Sequence, residues 1–295
     1  MRDKRIRKAI VAAVGVLLIA VLLAVGRYQD RKGSIYLKNL TLQSEEEGFD
    51  TVWLKEALRQ MPEQEGDKEN GDTNTRKYSF AAWTQRRQES IRPESGGREC
   101  PADIIAVYGA SGCVFPVGKS IPASDPAGCI LGKKLSEELF GSSHAEGQKL
   151  VWQDCEWTVR GIVEEPSELC LLQAGGLADQ LVFDRISLVM KAGEDRRQVG
   201  EEFILQQGLS AHTLRFDHLY GLSWLKEMIP SDWSDFDGWK QNLEGHGEAV
   251  KLVKATERTV IEEMGLEHQR RGMICIVAGI VLSIIGLGVI GRRWR

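Results

Sequence analysis

The apolar positions of this chain are concentrated in two long runs, one near each end. Residues 9 to 26 and residues 272 to 291 contain no charged side chain. At about 1.5 Å of rise per residue, each run covers most of a hydrocarbon core of about 30 Å. A helix satisfies the backbone of such a run inside lipid. The sequence therefore predicts two transmembrane helices, bordered by short terminal segments at residues 1 to 8 and 292 to 295.

Basic residues flank the outer ends of both runs, and the positive-inside rule places such flanks in the cytoplasm. They are Arg2, Lys4, Arg5, Arg7, Lys8, Arg292, Arg293 and Arg295. The prediction is a plasma-membrane protein with both termini cytoplasmic and residues 27 to 271 outside. A cleaved signal peptide is the alternative for the first run, because Ala24-Val25-Gly26 resembles a cleavage site, although the run exceeds the about 7 to 15 apolar residues of such signals. The middle of the chain is exported under either interpretation.

Between the two runs, the periodicity of the apolar positions predicts a mixed α+β domain. Helical spacing marks residues 50 to 60, Lys133 to Phe140 and residues 196 to 208. Aromatic, branched or alternating segments predict strands at residues 78–84, 103–108, 129–131, 150–152, 156–163 and 181–190.

The polar stretches of the same region predict loops and a stalk. Residues 62 to 76 contain no aliphatic or aromatic side chain, and residues 88 to 101 are also mostly polar, so both predict surface loops. Residues 249 to 271 carry apolar side chains at helical spacing without a proline. This pattern predicts a stalk helix that runs directly into the second span.

Charge and cysteine content argue against nucleic-acid binding and against a disulfide scaffold. The net charge is -4 and no basic stripe is present, which argues against nucleic-acid binding. Of the six cysteines, Cys275 lies in the second span, so an odd number remains outside it. Unpaired thiols, or at most one or two bridges, are favoured over a disulfide scaffold because a domain of this length can bury its own core.

The most suggestive catalytic string is Gly109 to Ser120, which follows a predicted strand and ends in Gly-Lys-Ser. A phosphate-binding P-loop needs a glycine five residues before Gly118, and Cys113 stands there. The same cysteine replaces the final glycine of a G-x-S-x-G nucleophile elbow around Ser111. A glycine-rich loop without nucleotide or nucleophile chemistry is therefore favoured.

The other polar clusters do not match a catalytic or metal-binding pattern. The histidines, at positions 144, 212, 218, 246 and 268, include no H-E-x-x-H sequence. Acidic runs at residues 45–47 and 164–165 lack the alternation of a calcium loop. An aromatic and acidic cluster at residues 224–239 is either a ligand platform or, as is usual for tryptophans, part of a core. The sequence thus predicts that the protein is not an enzyme, with no catalytic or metal-binding residue and no cofactor.

Small residues in the second span predict a helix–helix contact. Gly279 and Ser283 are four positions apart, and Gly286 follows them. Small side chains at this spacing let two membrane helices approach closely. The alternative is that these residues face lipid.

An ordered set of short motifs runs from Asp103 to Pro166. A strand ends in Leu131 and Gly132, the helix after it closes with Leu139, Phe140 and Gly141, Gly147 precedes another strand, and a hairpin ends with Val159, Gly161 and Val163. This order resembles the MacB-like periplasmic core domain of macrolide-exporter-type ABC transporter permeases, including their Gram-positive relatives. Residues 80–85 and 230–239 are similar to further segments of the Gram-positive group.

The resemblance implies a mixed domain on two stalk helices, without an active site of its own, moved by ATP hydrolysis in a separate or fused ATPase. Family permeases have further spans after the second, whereas this chain stops shortly after Gly291. The expected partners are therefore the membrane, a separate ABC ATPase and a longer permease subunit, or a second copy of the chain. A non-catalytic subunit of an ABC-type export or envelope-remodelling complex is the favoured function. The alternatives are a stand-alone sensory or ligand- or peptide-binding module and, less favoured, an exported hydrolase.

Overall fold

The computed structural model describes residues 2–60, 78–166, 168–191, 193–220 and 236–293. The loop predicted at residues 62 to 76 lies outside these residues, as does most of the aromatic cluster at residues 224–239. Only the end of that cluster, from Phe236 onward, is described.

The chain divides into two compact units. The membrane-helix unit consists of Met1–Leu37, Phe216–Ala255 and Glu262–Arg295. The sheet unit consists of Lys38–Arg215 and Thr256–Ile261. The predicted α+β class is confirmed, because the sheet unit combines strands with short helices and the other unit holds two long apolar helices.

The described helices include two of membrane-spanning length. In chain order they are α1 (Arg2–Tyr36), α2 (Thr51–Arg59), α3 (Lys133–Phe140), α4 (Arg196–Gln207), α5 (Asp217–Tyr220), α6 (Phe236–Ala255) and α7 (Val260–Arg293). Within α1 and α7, the segments Ala13–Tyr36 and Val260–Gly286 are long and apolar enough to cross a membrane. These segments extend further toward the middle of the chain than the apolar runs at residues 9 to 26 and 272 to 291.

The sheet unit is built on one nine-stranded sheet. Its strands are β1 (Leu40–Ser44), β2 (Phe80–Pro93), β3 (Cys100–Gly109), β4 (Gly128–Gly132), β5 (Lys149–Trp152), β6 (Cys155–Val163), β7 (Leu169–Gln173), β8 (Arg185–Leu188) and β9 (Ala211–Leu214). They follow the order β3-β7-β4-β6-β5-β2-β8-β1-β9, and β3 also pairs with β2. The additional pairing closes the first part of the sheet into a ring, from which β8, β1 and β9 extend.

The loop predicted at residues 88 to 101 is wrong in part, because strand β2 extends to Pro93 and β3 begins at Cys100. β2 continues to Pro93 because a bulge absorbs its polar stretch. At the bulge, Gln88 has a φ of +55° and its N–H donates to Asp103 Oδ1 at 3.1 Å. Ile91 is buried beyond the bulge and returns the strand to the core.

The predicted helices α2, α3 and α4 are confirmed, with local capping as the cause of their boundaries. The Asp50 carboxylate accepts the Val52 N–H at 3.0 Å at the start of α2. The Asp195 carboxylate accepts the Arg197 N–H at 2.8 Å at the start of α4, and Gly208 ends this helix with a φ of +63°.

The stalk predicted as one helix over residues 249 to 271 is interrupted. α6 ends at Ala255, α7 begins at Val260, and residues 256–259 between them are not helical. The interrupting segment belongs to the sheet unit, where side chains of β2 and β8 bond its backbone. These bonds replace helical hydrogen bonds of the interrupting segment. The helix therefore stops there, although the apolar periodicity of the sequence continues.

The main core cluster of the sheet unit lies on one face of the strands, and β3, β4 and β7 bury residues of the opposite face as well. Phe80 and Ala82 of β2 and Ile186 and Leu188 of β8 alternate with residues of the opposite face and are all buried in it. Helices α2, α3 and α4 contribute further apolar side chains to the same cluster.

Candidate functional site

The motif residues between Leu131 and Val163, called the family-like motifs below, lie together in one contiguous unit. This unit consists of β4, α3, β5 and β6. β4 and β6 are parallel neighbours, with Leu131 opposite Ile162 and Gly132 opposite Val163. Parallel neighbours require a crossover connection, and here α3 and β5 supply it. Motifs that are some 30 positions apart in the chain (residues 131–163) thus lie side by side in the sheet.

Of the two apolar side chains at the end of α3, one is buried in the core and the other is half-buried. Leu139 is 8% exposed and belongs to the core cluster, together with Leu135 one turn earlier. Phe140 is only partly buried and packs against the edge of the cluster. Lys134 and Glu138, on the other side of the helix, are exposed.

Two glycines make the turns that hold this unit together. Gly141 ends α3 with a φ of +67°, and its N–H donates to Glu137 O at 2.9 Å. Gly147 has a φ of +87°, and its N–H donates to Val159 O at 2.8 Å. Because L side chains rarely adopt this part of backbone space, both positions favour glycine for conformational reasons.

We expect Gly141→Val to lower the free energy of unfolding by about 1 to 2 kcal/mol or more, the cost of a left-handed conformation in an L-residue. An added Cβ at Gly141 would meet no atom within 4 Å, so the effect isolates backbone strain from steric overlap. The matched control is Gly176→Val, where a Cβ also meets nothing within 4 Å and φ is not positive. Denaturant unfolding of the full chain in detergent micelles measures both, and equal effects would contradict the assignment.

The remaining motif residues lie against the loop that follows β3. An added Cβ at Gly161 would lie 3.4 Å from the Lys119 side chain, and one at Gly118 would lie 3.2 Å from Val163 Cγ1. Lys119 Nζ also donates to Glu146 Oε1 at 3.0 Å and to Arg160 O at 3.3 Å. Gly161 and Val163 therefore serve packing between β6 and this loop.

Two shallow grooves of about 260 Å³ each flank His144, in the turn after α3. The first lies between Phe140, Pro93 and Gln148, and the second between Lys133, Ile162 and Glu164. Small-molecule sites usually enclose about 300 to 1,000 Å³ and bury most of the ligand. Both grooves are open and fall just below this range.

The string from Gly109 to Ser120 forms a closed loop in which both hydroxyl groups are engaged. Ser111 Oγ accepts the Ile121 N–H at 2.7 Å, and Ser120 Oγ accepts the Gly112 N–H at 3.0 Å. Burial raises the pKa of the adjacent Cys113 thiol to about 11. The string thus stabilises its own turn instead of presenting a nucleophile.

The thiols inside the sheet are also held in their protonated form. Burial raises the pKa of Cys170 on β7 to about 12, and burial is also the main cause of the raised pKa of Cys129 on β4. Because the thiolate is the reactive form, these cysteines are unreactive near neutral pH. Among the described residues, no group of three or more His, Cys, Asp or Glu side chains could hold a metal ion.

The predicted contact residues of the second span differ in their surroundings. A Cβ at Gly279 would lie 3.1 Å from Leu23 of α1, whereas one at Gly286 would meet nothing within 4 Å. Ser283 Oγ donates to Gly279 O at 2.7 Å, within its own helix. Of the three, Gly279 is brought against α1 and Gly286 is not.

The sequence analysis did not identify the glycines at which α1 and α7 approach each other most tightly. A Cβ at Gly33 would lie 2.5 Å from Gly265 O, and one at Gly272 would lie 2.7 Å from Gly26 O. The seven-residue spacing of Gly265, Gly272 and Gly279 was the available signal, because that repeat keeps one helix face toward a neighbour. Beside this contact, the His268 ring stacks on Tyr36 with centroids 5.9 Å apart.

Comparison with solved structures gives two similar domains. One is the periplasmic region of MacB from Actinobacillus actinomycetemcomitans, with a TM-score of 0.43 and 10% sequence identity over 60% of this chain and 88% of that one. The other is the extracellular domain of the noncanonic ABC-type transporter YknZ from Gram-positive bacteria, with a TM-score of 0.41 and 10% identity over 60% of this chain and 100% of that one. No protein-family model and no curated protein matches the chain.

Proposed function

We propose that this chain is a non-catalytic, membrane-anchored subunit or accessory of an ABC-type export or envelope-remodelling complex. The sheet unit lies outside the cytoplasm, both termini lie inside it, and α1 and α7 are the membrane anchors. In this arrangement the sheet unit contacts partners or substrate or transmits motion, and the chemistry belongs to other subunits.

The observation that carries the proposal is the assembly of the family-like motifs into one structural unit. Leu131 and Gly132 on β4 lie beside the end of β6, and Leu139 of the connecting helix is buried in the core that these strands share. A chance match of short motifs would not be expected to place them in register. The chain that carries this unit is bordered by two helices of membrane-spanning length.

The chemistry of the described residues is consistent with a contact role. The buried thiols are protonated, the Ser111 hydroxyl is engaged in its own loop, and the grooves beside His144 are shallow. A separate ABC ATPase and a longer permease subunit are the proposed partners, and a second copy of the chain is a further one.

Co-purification tests the proposal directly. The full chain, tagged at one terminus and extracted from native membranes in mild detergent, should bring along an ABC ATPase and a multi-span permease. As a control, a tagged variant that keeps α1 and α7 but lacks Lys38–Arg215 should lose partners that bind the sheet unit. Recovery of the chain alone, or the same proteins with the control as with the full chain, would contradict the proposal.

A further inference from the structure

The face of β2 and β8 that is turned away from the core carries a polar group of side chains. Trp83 is opposite Arg185 in the register of the two strands, and Gln85 follows Trp83 by two positions. Since Ala82 and Ile186 point into the core, strand alternation places these residues on the other face. Polar side chains at this position require partners of their own.

The partners are backbone groups of the segment that interrupts α6 and α7. Gln85 Oε1 accepts the Val260 N–H at 2.9 Å, Arg87 Nη2 donates to Arg258 O at 2.5 Å, and Arg185 Nη2 donates to Glu257 O. Arg87 Nε also lies 3.5 Å from Glu257 Oε1. Gln85, Arg87 and Arg185 are called the joint clamp below.

Each bond of the joint clamp pairs a backbone N–H or C=O group that has no hydrogen-bond partner within α6 or α7. The Val260 N–H stands in the first turn of α7, where amides have no partner within the helix. The Glu257 and Arg258 carbonyls follow α6 and have left its hydrogen-bond ladder. The clamp therefore stabilises the interruption from both sides.

Arg185 is the central residue of the clamp because it is a buried cation. Its side chain is 4% exposed, and its guanidinium lies 5.3 Å from the centroid of the Trp83 ring. The Trp83 ring is itself oriented by a bond from Nε1 to Ser187 Oγ at 2.9 Å. Stacking on an aromatic face while donating to a carbonyl suits a planar guanidinium and not an ammonium group.

We propose that the joint clamp makes the interruption between α6 and α7 an anchored joint and not a free hinge. The start of α7, Val260 and Ile261, then moves together with β2 and β8 as one body. The inference is independent of the proposed function, because it concerns a property that the chain has without any partner.

Hydrogen–deuterium exchange of the full chain in detergent micelles tests the clamp. In the wild type, amides of residues 257–261 should exchange slowly. Arg185→Lys and Gln85→Leu should each speed this exchange by about tenfold or more, because a bond to a charged or helix-terminal group shifts local opening by about that factor. Exchange in β3 and β7 should stay unchanged.

Two further variants keep the test interpretable. Arg87→Gln changes an exposed member of the clamp, so it should speed exchange at residues 257–261 even if Arg185→Lys fails to fold. Arg86→Gln changes the neighbouring exposed arginine and should have no effect there. Fast exchange of residues 257–261 in the wild type, or unchanged exchange in both Gln85→Leu and Arg87→Gln, would overturn the proposal. Neither result depends on which proteins co-purify with the chain.

Discussion

Replacing Leu139 with alanine is expected to lower the free energy of unfolding by about 2 to 4 kcal/mol. The side chain is 8% exposed and lies in the core cluster that α3 shares with β4 and β6. Truncation removes apolar area from that cluster and leaves a cavity that the parallel strands, held by their ladder, cannot readily fill. Denaturant unfolding of the full chain in detergent micelles, followed by tryptophan fluorescence, measures the change.

Two neighbouring positions provide matched controls for Leu139. Phe140→Ala should cost less than Leu139→Ala despite the larger side chain, because Phe140 is only partly buried. Glu138→Ala should cost under about 0.5 kcal/mol, since its side chain is exposed. An equal loss at Leu139 and Glu138 would show that α3 does not pack as described, and with it the structural basis of the proposed function would fall.

The difference between Leu139 and Phe140 shows where sequence patterns stop being informative. Successive residues of a helix point about 100° apart, so two adjacent apolar residues at the end of α3 cannot both face the same core fully. The pattern identified the helix and its Gly141 terminus. The groove beside Phe140 depends on Pro93 and Gln148, which come from other segments.

The sequence predicted helices and strands well where capping or turn residues mark their ends. α3, α4 and the hairpin of β5 and β6 have capping residues or a tight turn, with Gln153 and Asp154 at positive φ in the hairpin. β7 was not predicted, because Leu169–Gln173 is buried on both faces and a short run of this kind has no strand period. β8 was predicted too long because apolar residues flank Arg185–Leu188 on both sides in the range 181–190.

The joint at residues 256–259 could not be predicted from the sequence because its cause is distant in the chain. Gln85 and Arg185 bond the backbone there, yet each reads locally as an ordinary strand residue. The apolar period of residues 249 to 271 continues across the joint and gives no sign of it. Non-local bonds of this type decide helix boundaries without leaving a local pattern.

The largest effect within the membrane-helix unit is expected for Gly272→Leu. A Cβ at Gly272 would lie 2.7 Å from Gly26 O and 2.9 Å from the Asp30 backbone nitrogen. Both are backbone atoms, so neither can move aside without moving α1. We expect the two helices to separate toward the about 8 to 10 Å between axes that larger contact residues require. The helix pair should lose about 3 kcal/mol or more, at the upper end of the usual cost of overpacking.

Gly286→Leu is the matched control for this change. It adds the same side chain to the same face of α7, fourteen positions further along, where a Cβ would meet nothing within 4 Å. Distances between spin labels on the exposed positions Tyr28 and Ile274, in a background with Cys275→Ser, report the separation of α1 and α7. They should increase in Gly272→Leu and stay unchanged in Gly286→Leu. Unchanged distances in both variants would mean that the glycines face lipid, and the seven-residue repeat would then carry no contact between the spans.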